Sequence, residues 1–284
     1  MKSRSLTVPR TAFQCLVAIS GALGTTLANA AELPSWAPGP KPRVIEDRFR
    51  VEVNVLRANN NTKLRVDPSA LQQGTLVDTE GDLGLEEDQM LTQAELTLLP
   101  GERHLIRLSA LSSRRSAQTV IDRQIRFDDD VFNVNERVDS ELDLSLFGLT
   151  YGYRFYAGDR AELTGTFGIQ IASVEANAEV RSRTISDAEE GVAPLPLIGV
   201  EGRFDFTERW SAEGRFQYLG ANIDEVDGSI MDSRLALTWR LNPYLVFGLG
   251  YRRFSVEIDS RNLDNPGLVD MTIAGPLLFA RASL

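Results

Sequence analysis

The sequence predicts an all-β fold: a single antiparallel up-and-down transmembrane β-barrel of ten strands, with eight as the alternative, behind a cleaved signal peptide. Three observations predict it. Leu142 to Ile171 reads as a hairpin of two long runs in which large apolar residues alternate with Ser, Thr, Gly, Asp and Arg. Such alternation gives a strand one oily and one polar face. The connections between runs of this kind alternate between short and long, and aromatic residues gather beside the short ones.

In the opening hairpin, Phe147, Leu149, Tyr151, Tyr153 and Phe155 precede the turn Ala157-Gly158-Asp159-Arg160, and Leu163, Phe167, Ile169 and Ile171 follow it. Each run can hold the roughly 9–11 residues that cross a bilayer as a tilted strand. The apolar parity flips between Leu146 and Phe147, which predicts a β-bulge there.

The N-terminus has a different character. Lys2, Arg4 and Arg10 precede the apolar run Ala12 to Leu23, and Ala28-Asn29-Ala30 follows it. A charged segment, a short apolar segment and a small-residue site predict a secretory signal peptide over residues 1–30, cut after Ala30. The one cysteine, Cys15, lies within it and is not flanked as a lipoprotein anchor would be. The mature chain is then without disulfides or thiolate metal ligands. Residues 31–47, with Pro34, Pro38, Pro40 and Pro42, read as an extended periplasmic segment before a barrel over 48–284. The mean hydropathy of −0.16 gives no sign of a helical membrane protein. The net charge of −10 excludes a nucleic-acid-binding role.

The strands follow in order. Phe49 to Arg57 sets Val51, Val53 and Val55 against Arg50, Glu52 and Asn54. After the polar stretch Asn59 to Gln89, Met90 to Leu98 sets Ala94, Leu96 and Leu98 against Gln93, Glu95 and Thr97. A turn at Leu99-Pro100-Gly101-Glu102 leads to His104 to Ser112, with Ile106, Leu108 and Ala110 on the apolar side. Ser113 to Arg137 is a second polar stretch, and Glu179 to Ala193, beyond the hairpin, a third. Leu195 to Phe206 pairs with Trp210 to Asn222, and Ser229 to Arg240 with Tyr244 to Ile258. Asp259 to Gly267 reads as the last loop, and the final strand sets Leu278, Ala280 and Ala282 against Phe279, Arg281 and Ser283. Alternating short and long connections suit periplasmic turns and extracellular loops. Phe155, Tyr156, Phe206, Trp210, Trp239 and Tyr244 flank the short turns as an interfacial girdle would.

From Phe49 to Leu284, with its alternation, its sorted loops and the closing run Gly275 to Leu284, the chain resembles the small outer-membrane β-barrel proteins of Gram-negative bacteria, the OmpA-like and OmpW-like group. The resemblance implies residence in the cell outer membrane, contact with its lipid and lipopolysaccharide, and handling by the barrel-assembly machinery. The chain departs from that group at its end, where Leu284 replaces the usual terminal aromatic.

In a barrel the polar face points inward. It carries Glu52, Glu95, Arg107, Arg154, Glu162, Arg203, Asp205, Glu213, Arg215, Arg234, Arg252 and Arg281. Charges in so narrow an interior must pair or be hydrated, so the expected arrangement is a salt-bridged plug, with a narrow charged passage as the alternative. The resemblance brings barrel enzymes into view, and those families generally need a histidine base. The one histidine, His104, follows a periplasmic turn, far from where an omptin-like site would lie. Asp128, Asp129 and Asp130 offer carboxylates, but acidic loop runs are ordinarily solvated. Neither Asp224 to Gly228 nor Glu86 to Asp88 has calcium-loop spacing, and no metal or cofactor is expected. Gly248 and Gly250 lie inside a strand and relieve crowding. Arg114, Arg115, Arg123 and Arg126 form a basic cluster that could meet lipopolysaccharide phosphates. The expected function is therefore a non-enzymatic outer-membrane barrel with a structural or loop-mediated recognition role. The alternatives are a narrow pore, a carrier for small solutes or hydrophobic ligands and, last, a hydrolase.

Overall fold

A computed structural model describes residues 48–67, 74–127, 130–132, 134–180, 185–223, 226–260 and 267–283. The expected signal peptide (1–30), the Pro-rich segment (31–47), Asp128, Asp129 and Leu284 lie outside the described residues. The elements are β1 (Phe49–Val66), β2 (Val77–Asp78), β3 (Asp88–Leu98), β4 (His104–Val120), β5 (Ile125–Phe127), β6 (Asp130–Phe132), β7 (Arg137–Ala157), β8 (Ala161–Val180), β9 (Ile185–Asp205), β10 (Trp210–Ile223), β11 (Val226–Arg240), β12 (Leu245–Ser260) and β13 (Gly267–Ser283).

Ten of these close into one antiparallel barrel in chain order: β1, β3, β4 and β7 to β13, with β13 returning to β1. Closure runs from Arg50↔Ser283 to Val66↔Gly267, so no strand of the ring is left with an open edge. The count is ten rather than eight because both runs flanking the Asn59–Gln89 insertion enter the ring. β2 is a short addition on the tip of β1, and β5 and β6 form a separate small hairpin.

Tight turns join β3 to β4, β7 to β8, β9 to β10 and β11 to β12 at one end, which also holds the start of β1 and the end of β13. At the opposite end the strands rise much further than the sequence suggested. β1 runs to Val66 rather than Arg57, and β4 to Val120. The expected third loop, Glu179–Ala193, is largely ladder: β8 reaches Val180 and β9 starts at Ile185. Of the expected last loop, Asp259 and Ser260 belong to β12 and Gly267 to β13, and residues 261–266 lie outside the described residues. Strand height, more than loop length, separates the two ends.

The expected bulge at Leu146/Phe147 is absent. Leu146↔Ala172 and Phe147↔Ile171 are consecutive pairs in an unbroken register, and the one shift on this hairpin lies between Arg154 and Tyr156. The parity flip is a change of surroundings. Towards the short turns, Phe147, Leu149 and Phe155 point out and are about half exposed; above them Leu142, Leu144 and Leu146 point in and are buried to 6% or less. β12 does the same, with Phe247, Leu249 and Tyr251 outside below and Phe254 and Val256 inside above. The lower half is greasy outside and polar within, as lipid contact requires. The upper half is polar outside and mostly greasy within, around a buried ion pair between Arg115 and Glu80, much like a water-soluble domain.

Candidate functional site

The lower interior holds the predicted charges. Arg107 donates to Glu201 through Nη1 (2.5 Å) and Nη2 (2.8 Å), and Arg215 donates to Glu95 at 3.0 and 3.1 Å. The second pair links β10 to β3, five places apart in a ring of ten, so it crosses the full diameter. Arg281 bridges Glu52 (2.7 Å) and Glu213 (2.6 and 2.9 Å), while Arg234 meets Glu52 at 2.6 Å. Arg203 lies 2.8 Å from Asp205 and 3.6 Å from Glu213, and Arg154 lies 3.5 Å from Glu162. Arg252 forks onto Asp232 (2.9 and 3.0 Å) and donates to Gln93 Oε1 at 2.5 Å.

Every arginine of the predicted network thus meets a carboxylate. The paired geometry offsets the cost of taking these charges from water. Sequence reasoning left two members out of the network, Glu201 and Asp232. Each alternates at two-residue spacing with an arginine that it did include, Arg203 and Arg234. The network also has an aromatic member. The Phe279 ring lies under the guanidinium of Arg234 (4.3 Å) and beside that of Arg281 (5.3 Å). It fits only because Gly248 faces it: a Cβ there would sit 2.1 Å from the ring.

Above the charges the lumen turns apolar. Leu56, Leu91, Leu111, Leu144, Leu197, Phe254, Ile273 and Leu277 form one buried cluster that fills the barrel from wall to wall. Higher still, at the tall end, Val77, Ile121, Ile125 and Val138 form a second buried cluster, with Leu83 packed on it. An apolar cavity sits there, lined also by Leu64, Leu85, Leu142 and Ser140. Two segments cover it. Residues 74–85 dock on β1 through Thr79 N to Thr62 O (3.0 Å). Residues 121–127, on the other side, are tied to Glu136 through Ile121 N to Glu136 O (3.0 Å). Arg123 ties the two together: it pairs with Asp82 and donates to Leu76 O at 2.8 Å. This hydrogen bond holds the Asp82 carboxyl below its ordinary value of 3.8.

The other predicted residues are distributed as follows. Phe155, Phe206, Trp210 and Tyr244 are outward and exposed beside the short turns. Trp239 stacks on Phe247 at 6.5 Å, and Tyr156 folds over the turn at Gly158. His104 also lies at this rim, its Nδ1 2.8 Å from the Tyr151 hydroxyl and its ring against Tyr153. The four arginines expected to meet lipopolysaccharide do not converge. Arg115 is on the inward face of β4, buried, and occupied by Glu80 and Thr62 Oγ1. Arg114, one residue earlier, has the opposite facing and pairs with Asp143 at 2.6 Å on the outer wall. Arg123 serves the clamp, and Arg126 is exposed on β5, where its backbone pairs with Thr75. Adjacent strand residues face opposite ways, so no single patch can hold both Arg114 and Arg115. Among the described residues no group of His, Cys, Asp and Glu could hold a metal ion.

No protein-family model matches the chain, and no curated relative does. Solved structures do. The outer membrane protease OmpT of Escherichia coli aligns at a TM-score of 0.55 and 10% identity, over 86% of this chain and 99% of that one. That likeness is one of fold. With the exposed apolar belt, it decides the class. The protein is a membrane-spanning β-barrel with the fold seen in outer-membrane proteins. Weaker likenesses reach Ail, the attachment invasion locus protein of Yersinia pestis (TM-score 0.34, 10% identity, 84% of this chain and 99% of that one). They also reach the toluene transporter TodX of Pseudomonas putida (TM-score 0.32, 7% identity, 84% and 90%). A likeness of fold at 10% identity leaves function to the site.

Proposed function

We propose that this barrel is non-enzymatic and sealed, and that its role is structural or one of recognition through the tall end, facing out of the cell. The observation that carries this reading is the stacking of two closures in one lumen. A layer of crossed ion pairs lies below, and a layer of packed apolar side chains lies above it. A conducting path would need a continuous wet passage, and the upper layer interrupts one. The lone histidine supports a non-enzymatic role. It stands at the short-turn rim against two tyrosines, with the whole lumen between it and the tall end. Of the arginines expected to touch lipopolysaccharide, Arg114 keeps the outward position for it and Arg115 does not.

Planar-bilayer recording of the refolded protein tests the sealed lumen. The expected trace shows no steady openings above the lipid background; steady openings would overturn the reading. Turnover of peptide or lipid substrates that survives His104→Ala would overturn the non-enzymatic part of it.

A further inference from the structure

We infer that the outer wall beside the β3–β4 turn is a binding site for the phosphate of a membrane phospholipid, held by Arg103, His104 and Tyr153. The wall around it is hydrocarbon. At the next short turns the outward side chains are Phe155, Leu163, Phe206 and Trp210, all exposed, as a lipid-facing surface requires. On β4 and β7 that pattern breaks. His104 and Tyr153 are register partners, both outward and exposed, and Tyr151 stands one outward step further up β7. His104 Nδ1 lies 2.8 Å from the Tyr151 hydroxyl, and the imidazole meets the Tyr153 ring edge-on at 5.6 Å. Arg103 Nη1 donates to the Tyr153 oxygen at 3.2 Å. Four polar side chains are thus joined on a wall that faces lipid.

Donors outnumber acceptors in this cluster. Every arginine of the lumen network meets a carboxylate, but Arg103 forms no salt bridge among the described residues, not even with Glu102 next to it. Its one hydrogen-bond partner is the uncharged Tyr153 oxygen, which leaves most of its N–H groups unused. Tyr153, having accepted from Arg103, still has its own O–H to donate. When the Tyr151 hydroxyl donates to Nδ1, the imidazole proton sits on Nε2 and supplies a further donor. Guanidinium, hydroxyl and imidazole donors together call for an acceptor with several oxygens and a negative charge. A phosphate diester meets that description, and the planar guanidinium suits it. Position selects the lipid as its source. The cluster faces outward at the level of the interfacial aromatics, where headgroups lie. Both partners are partly out of water there, so their attraction exceeds what Arg103 would gain from a dissolved ion.

The site is independent of the sealed lumen proposed above: steady conduction would leave it standing, and a silent barrel could still fail the titration. The test uses the full chain, without a histidine tag, refolded into maltoside micelles, which contain no phosphate. His104 is then the one imidazole, so its ring-nitrogen signals identify themselves. Phosphatidylcholine, diacylglycerol with the same acyl chains, and inorganic phosphate are titrated separately. Phosphatidylcholine carries its phosphate without net charge, so micelle surface potential is not what moves the histidine. It is expected to give a saturable shift, and the other two none at the same concentrations. Arg103→Gln is expected to raise the half-saturation concentration at least about tenfold, as loss of a charge-assisted hydrogen bond does. Tyr153→Phe is expected to raise it by less. Both side chains are exposed, so both variants should refold. The inference is overturned if phosphatidylcholine gives no saturable shift, if diacylglycerol matches it, or if neither substitution moves the half-point. An equal shift from inorganic phosphate would overturn the lipid as the source.

Discussion

The two halves of this barrel obey opposite rules on the same strands. On β7, Phe147 to Phe155 give their large side chains to the outside, whereas Val138 to Leu146 give theirs to the inside. The ladder does not change across this boundary, and neither does the alternation. What changes is the solvent on the outer wall. Where it is hydrocarbon, polar groups retreat inward and must pair. Where it is water, the same economy of burial drives Leu, Ile and Phe inward. A transmembrane half and a soluble-type half can therefore share one uninterrupted sheet.

The interior offers the largest test of that comparison. Arg281→Met would leave Glu213 with only Arg203, 3.6 Å away, and Glu52 with only Arg234. Removing one partner of a buried pair costs about 3–5 kcal/mol. Urea titration of folding into vesicles measures it. Arg281→Met combined with Glu213→Gln should recover part of the loss, because the cost lies in the stranded charge. No recovery would mean that water in the lower lumen already screens these groups.

The outer wall gives a matched pair. Phe167→Arg, in the middle of the apolar belt and 52% exposed, should cost about 2–4 kcal/mol of folding free energy in bilayers. Ser173→Arg lies on the same face of the same strand, above the belt, and should stay within about 0.5 kcal/mol. Equal effects would erase the boundary between the halves. Thr166→Arg, on the inner wall, would be cheap if the lumen had room, but the structure leaves none. Thr166 is 4% exposed and accepts a hydrogen bond from Gln217 Nε2 at 3.2 Å. Overpacking alone should cost about 1–3 kcal/mol there.

These contrasts mark what the sequence could and could not reveal. The lower half was legible because lipid outside and charge inside make the alternation stark, and the facings of Val51, Phe167 and Leu249 follow directly from it. Much of the upper half was read as loops because its outward residues, such as Asn59, Asn61, Ser116 and Gln118, look like loop residues. Its inward leucines, being in the opposite parity, looked like a bulge. Within the site, most of the charged residues were legible and their pairing was not. Glu95 and Arg215 lie 120 residues apart in the chain and meet only because the ring closes. The cavity had no sequence signature at all, since Val77, Ile121 and Val138 come from three separate segments.

The smallest effect concerns the clamp over the tall end, where the halves' rule predicts a polar, water-facing tie. Asp82 has its carboxyl held below 3.8 by the Arg123 hydrogen bond. A carboxyl with a depressed folded value stabilises the closed state fully above its unfolded value, and loses that contribution as pH falls through the folded one. The Leu83 and Val77 methyl signals should therefore hold steady from neutral pH down to about 4 and shift only below it. Asp82→Asn should show the shifted positions at every pH. Arg123 is nearly half exposed, so solvent screens the pair and the effect on global stability should be slight. A wild-type midpoint at or above 3.8 would mean that the carboxyl gains nothing from Arg123. The cover of the cavity would then be held by its apolar contacts alone.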